Sequence, residues 1–237
     1  MKVSLDINKF LVLALAFILF VPIGTLSHEY GHVLAAKKLG YKTTLHYGSM
    51  NTVQTNFEKR IENIYNQNKL AIDSGADFKQ KVEYKKGIEK LKTDRLFIRI
   101  GGPLQTLMTG VIGLTLLFFR RKSIKASGLK LVDWLAVFLS LFWLRAIFNL
   151  VTSVGSEIIN PNGSYFGGDE KYIAELLNLP LGTFSLTLGV IGTLVCAFVV
   201  FKIIPNKIRF TFMLSGLVGG ISGFMLWMIG IGPNLLP

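Results

Sequence analysis

FLVLALAFILFVPIGTLSHEYGHVLAAKKL, residues 10–39, carries both the architecture and the chemistry of this chain. From Phe10 to Leu26 no residue is charged. An apolar block of this kind crosses a bilayer as a helix. His28-Glu29-Tyr30-Gly31-His32 then sets three ionisable side chains directly after the apolar run. Such groups at membrane depth are costly and face a polar cavity with a task. On a helix, residues four apart share one face, one turn above the other. Two imidazoles at that spacing grip one metal ion, and the glutamate next to the first reaches the water beside it without occupying the metal. VLAAKKLG continues the helix and stops it at Gly40, so the pattern lies in the helical context that its geometry requires.

Working outward, five stretches read as spanning helices, at about residues 10–39, 98–119, 133–153, 182–204 and 210–232. Pro22 and Gly24 make a kink or a re-entrant break plausible in the first. Residues 41–97 form a polar insertion. YKTTLHYGSMNTVQT suits a short hairpin over 41–55, and two amphipathic helices divided by Ser74-Gly75 follow. A second polar stretch, 154–181, opens on Asn160, Pro161, Asn162 and Gly163. After Gly167-Gly168 it starts a helix with Asp169 and Glu170 in the first turn. The expected fold is an all-α polytopic membrane protein, one domain over 1–237 with about five transmembrane helices and a small hairpin and helical insertion.

Of the 237 residues, 51% are hydrophobic, and the net charge is +12. The basic residues lie mostly between apolar blocks, which points to anionic lipid and away from nucleic acid as the partner. Lys2 and Lys9 before an apolar stretch have the layout of a signal peptide. That stretch runs straight into the histidine motif with no small-residue cleavage site, so it is expected to stay as the first span. The single cysteine, Cys196, lies in an apolar block and forms no intramolecular disulfide.

A catalytic zinc takes three protein ligands and keeps one position open. His46, Glu157, Asp169 and Glu170 are the candidates for the third. Let the first span run from side A to side B. The motif then lies toward side B, the second span returns to A, and the third delivers residues 154–181 to side B. Asp169 can thus reach the level of the histidines, and Gly101-Gly102-Pro103 lies at the same end of its helix. Arg145, inside the third span, either pairs with an acid near the site or snorkels to the interface.

In their order, SHEYGHVLAAKKLGY, GGPLQTLMTG, FNL at 148–150 and GGDEKYIAELLNLP resemble the site-2 protease family of intramembrane zinc metalloproteases, over roughly residues 15–180. The resemblance implies Zn²⁺ held by His28, His32 and Asp169, with Glu29 activating water. It implies an asparagine that holds the substrate strand: Asn149 by its motif, or Asn160, whose spacing to the aspartate fits better. The family's Asp-Gly is replaced here by Asp169-Glu170, with glycines before instead of after. No segment suggests a PDZ or nucleotide-binding module.

The expected activity is hydrolysis of a peptide bond in, or at the edge of, a cell membrane, in a membrane protein or membrane-associated peptide. A spanning helix hides its carbonyls in its own hydrogen bonds, so the substrate unwinds first. Family analogy adds an edge-strand clamp, which the 41–55 hairpin supplies through Thr43, Thr44 and Leu45. The alternative is a catalytically silent metal-bearing protein that binds a peptide, as an immunity or regulatory factor. A transporter is disfavoured by five spans without an inverted repeat. Basic residues at 120–132 place side A in the cytoplasm, whereas the lysines of 41–97 and the habit of the family favour side B.

Overall fold

The computed structural model describes residues 5–160 and 166–237. Lys2, Pro161, Asn162 and Gly163 lie outside them. The described chain is almost entirely helical. Helix α1 spans Ile7–Lys38; the strands β1 (Thr43–Leu45) and β2 (Met50–Thr52) follow; then come α2 (Asn56–Asp73), α3 (Lys81–Ser127), α4 (Leu131–Ser140), α5 (Leu144–Ile159), α6 (Gly168–Leu176), α7 (Thr183–Phe198), α8 (Asn206–Met225) and α9 (Gly232–Leu235). Five helical stretches are long and apolar enough to cross a membrane: Ile7–Lys38, Lys81–Ser127, Leu131–Ile159, Thr183–Ile203 and Asn206–Leu235. Leu11, Val12, Leu15, Leu19 and Ile23 of α1 are each more than half exposed. A row of bare aliphatic side chains on one helix has lipid as its natural solvent. The chain is a multi-pass membrane protein.

Helix α1 begins at Asp6, whose carboxylate accepts the Lys9 N–H at 3.1 Å, an N-cap that satisfies an otherwise orphaned donor. It ends on Lys37 and Lys38, whose charges suit the C-terminal dipole, before Gly40 at φ +87°. No re-entrant break interrupts it at Pro22. Proline offers no N–H to the Ile18 carbonyl, and Gly223 of α8 comes so close that a Cβ there would meet that carbonyl oxygen at 2.9 Å. A packed neighbour thus covers the freed group, as membrane interiors demand. At Gly219 the backbone of α8 presses on Ala14 in the same way, the small-residue contact through which spanning helices associate.

Helix α3 differs from expectation. Its first half was read as a separate amphipathic helix, with a span starting near residue 98. Instead, 47 residues run unbroken from Lys81 to Ser127, about 70 Å at 1.5 Å per residue. Gly87, which reads as a weak point, is a contact: a Cβ there would collide with Ile61 of α2. Ile61, Ile64 and Leu91 form a small core with Phe78, Tyr84 and Ile88. A capping box between Thr55 and Glu58 starts α2. The polar insertion is therefore an arm that prolongs the second span.

The third span is α4 and α5 joined through a single 3₁₀ turn, Leu141–Trp143. At the side A end, Asp133 is fully buried and accepts from Arg120 at 2.5 and 3.3 Å. It also accepts the Lys130 N–H at 2.8 Å. One carboxylate thus clamps α3 to α4 and caps α4. On side B, β1 and β2 pair antiparallel with Thr44 opposite Asn51. The Trp227 indole donates to the Tyr47 carbonyl at 2.9 Å, and the Tyr47 N–H donates to the Leu236 carbonyl at 3.0 Å. The hairpin loop is held by the last span.

Removing Asp133 leaves Arg120 without its ion-pair partner and the Lys130 N–H without its acceptor. Asp133→Ala is expected to unfold at clearly lower SDS fraction than the natural protein in a detergent titration. Equal midpoints would mean that the Arg120 clamp contributes nothing.

Candidate metal centre

Helices α1 and α3 cross with their backbones in contact. A Cβ on Gly31 would strike the Gly101 carbonyl, and a Cβ on Gly101 would strike the Gly31 carbonyl. This crossing brings the histidine face of α1 onto the Gly-Gly-Pro turn of α3. The motif stands nine and five residues before Lys37, which is roughly 13 and 7 Å along the axis. The site therefore lies beneath the side B surface. His28, Glu29 and His32 are all buried, His28 to 1% exposure.

The imidazoles are oriented from behind. Nδ1 of His32 lies 2.7 Å from the Ile98 carbonyl. A carbonyl only accepts, so Nδ1 carries the proton and Nε2 is left with its lone pair. Nδ1 of His28 lies 2.9 Å from the Thr106 hydroxyl, a group able to accept in the same manner. Such partners fix the tautomer of metal-ligating histidines. Both Nε2 atoms point at one oxygen, Asp169 Oδ2, at 3.0 and 3.1 Å, and lie 3.2 Å from each other. Three electron-rich atoms thus face one point, with no proton of their own between them. An ion with bonds of about 2.0–2.1 Å in a tetrahedron has ligand–ligand edges of about 3.3 Å. The triangle is close to that size. Gly102 makes the room: a Cβ there would fall on both Nε2 atoms.

Asp169 comes from the first turn of α6. Gly168 precedes it at φ +68°, a left-handed conformation that a side chain resists. The turn aims the carboxylate inward. Its second oxygen accepts from Arg99 at 3.0 Å, and the Arg99 guanidinium lies over the Tyr172 ring at 4.6 Å. As a metal ligand Asp169 would act in its ionised form.

Glu29 is the second carboxylate at the centre. Ligand atoms of His28, Glu29 and His32 lie within 4.8 Å of one another, and this buried group can hold a metal ion. Two donor sets therefore share the histidines, one with Asp169 and one with Glu29. Asp169 has the ligand distances, and Glu29 stands beside them. Arg145 faces Glu29, its Nη2 3.9 Å from Oε1, so of the two readings of this arginine the pairing with an acid at the site holds.

The other candidates separate clearly. His46 is turned away, with Nδ1 against the Pro237 carbonyl and Nε2 3.2 Å from the Asn51 amide. Glu157 and Asn160 are exposed at the end of α5. Asn149 donates to Glu170 at 2.8 Å, which ties α5 to the residue after Asp169. Arg99, Thr106 and the Ile98 carbonyl were not anticipated. The signal for the first two was a polar side chain within one turn of Gly101-Gly102-Pro103. A backbone carbonyl gives no signal in sequence.

The centre opens into a cleft of about 970 Å³ lined by Glu29, His32, Asp169, Arg145 and residues 48–52 of the hairpin. The alternating ladder places the bonded pairs at Lys42–Val53, Thr44–Asn51 and His46–Ser49. The backbone groups of Met50 and Thr52 therefore point outward, along the edge of β2. Of the two strands, β2 lines the cleft.

Purified in detergent, the natural protein is expected to carry about one divalent ion per chain. His28→Ala, His32→Ala, Asp169→Ala and the cavity-filling Gly102→Val should each lose most of it, and Glu29→Gln should keep it, by elemental analysis. Metal lost in Glu29→Gln but kept in Asp169→Ala would exchange the two carboxylates.

No family model, no curated protein and no solved structure matches the chain in comparison with known proteins.

Proposed function

We propose that this protein is an intramembrane zinc metalloprotease with a core like that of the site-2 proteases. In this reading His28, His32 and Asp169 hold Zn²⁺, and Glu29 is the general base. The observation that carries it is the converging triangle of two Nε2 atoms and one carboxylate oxygen, with an uncommitted glutamate beside it at the floor of an open cleft. Two neutral imidazoles and a carboxylate suit zinc, and the arrangement keeps a position free. Bound there, the ion would polarise a carbonyl and acidify water.

The residues of the chain do the rest. Glu29 takes a proton from the attacking water and later delivers it to the leaving nitrogen. Ile98 and Thr106 hold the imidazoles, and Arg99 holds Asp169. The free edge of β2 offers the Met50 and Thr52 backbone groups to an extended peptide, which adds as a third strand beside the centre. The substrate class is a transmembrane or membrane-associated segment that can unwind near its end.

New peptide termini in membranes from cells carrying the natural protein, compared with Glu29→Gln, test the reading. Termini present only with the natural protein would name the substrate. With both proteins inserted and metal-loaded, identical termini would favour the catalytically silent peptide binder. Thr52→Pro removes an outward N–H without touching a β1–β2 bond. It is expected to lower cleavage at least tenfold, and Thr52→Ala is expected to leave it near the natural rate. Full activity in Thr52→Pro would sink the strand-addition clamp.

A further inference from the structure

Arg145 stands where two cavities meet. It lines the polar cleft that holds Glu29, His32 and Asp169. It also lines a separate, apolar cavity of about 350 Å³ between α1, α5 and α8, among Phe20, Phe142, Phe148 and Phe224. No other described residue lines both. Arg145 is the second residue of α5, just after the 3₁₀ turn and within a membrane span. A guanidinium at that depth requires partners. Its contact with Glu29 is 3.9 Å, beyond hydrogen-bonding distance, and its Nε is buried with no acceptor. Arg99, by contrast, is committed to Asp169 and stacked on Tyr172, and Arg95 is exposed. Arg145 is thus a cation with unspent donors aimed into the space beside the base.

Resting on the protease reading, we propose that Arg145 is a catalytic residue that donates hydrogen bonds to the oxyanion of the tetrahedral intermediate. Water attacks the amide carbon, a C–O bond forms, and the carbonyl π pair moves onto the carbonyl oxygen. The proton released by the water goes to Glu29. The new alkoxide accepts from the Arg145 guanidinium, whose Nη2 lies 3.9 Å from Glu29 at the cleft. When the intermediate collapses, the alkoxide pair re-forms C=O, and the C–N bond breaks. The nitrogen leaves with the C–N bonding pair and takes the proton from Glu29, giving one carboxyl and one amine terminus. Preorganised donors of this kind act most strongly where water is excluded, and the phenylalanine-lined cavity behind Arg145 excludes it. The same cavity seats an apolar side chain next to the reacting bond, which sets the choice of probes.

Two inhibitors separate this role from a structural one. Phosphoryl-Leu-Phe-amide presents one anionic oxygen to the metal and a second to an oxyanion donor. Mercaptoacetyl-Leu-Phe-amide binds metal through sulfur and has no second oxyanion. Binding of both is measured by calorimetry to the natural protein, Arg145→Gln and Arg145→Lys in detergent, with metal content determined for each. Arg145→Gln is expected to weaken the phosphoryl compound about 100-fold and to leave the thiol compound and the metal unchanged, with Arg145→Lys in between. Equal weakening of both compounds, lost metal, or no change in either overturns the proposal. Cleavage in membranes, read as new peptide termini, is followed in parallel for the natural protein and Glu29→Gln. If the natural protein gives no cleavage that Glu29→Gln removes, the protease reading itself falls and takes this role with it. If cleavage depends on Glu29 but the phosphoryl compound is indifferent to Arg145, only the role of Arg145 falls.

Discussion

The contact between Gly31 and Gly101 is the constraint on which the rest of the centre depends. Lipid gives spanning helices no hydrophobic reason to associate, so they associate by close packing. Here two backbones touch because neither carries a Cβ at the crossing. That contact sets the distance from α1 to the Ile98 carbonyl and the Thr106 hydroxyl, which are spaced along α3 to meet one histidine each. Gly102, one residue on, leaves the ligating nitrogens clear. A side chain at any of these three positions would displace the centre without changing a ligand.

Two buried aspartates of the bundle are each matched with an arginine. Asp133 answers Arg120 at one end of α3, and Asp169 answers Arg99 toward the other. Each aspartate has a second task, one as a helix cap and one as a candidate ligand. Ionised groups in a medium of low polarity persist only with such partners. Asn149 and Glu170 add a neutral–acid contact that seats α6 on α5.

Much of this was legible in the sequence. The five spans follow from apolar length alone, and the shared face of His28 and His32 follows from helical period. Counting crossings put Asp169 on the side of the motif. The merger of the polar arm with the second span was not legible, because the sequence turns from polar to apolar near residue 98 while the helix does not break there. The partners of the histidines lie 66 and 78 residues away, and separation of that kind leaves no periodic trace. The hairpin itself was legible, but which of its strands faces the cleft was not, because that depends on how the hairpin packs, a tertiary fact.

The continuity of α3 has a mechanical consequence. From Lys92 on the arm to Gly102 at the centre is ten residues of one rod, about 15 Å. The arm carries Lys79, Lys81, Lys85, Lys86, Lys90 and Lys92, a basic flank with affinity for anionic headgroups. Arm and candidate metal centre are therefore joined by a ruler of fixed length. A thicker or thinner bilayer tilts the bundle but leaves the distance from the arm to that centre unchanged.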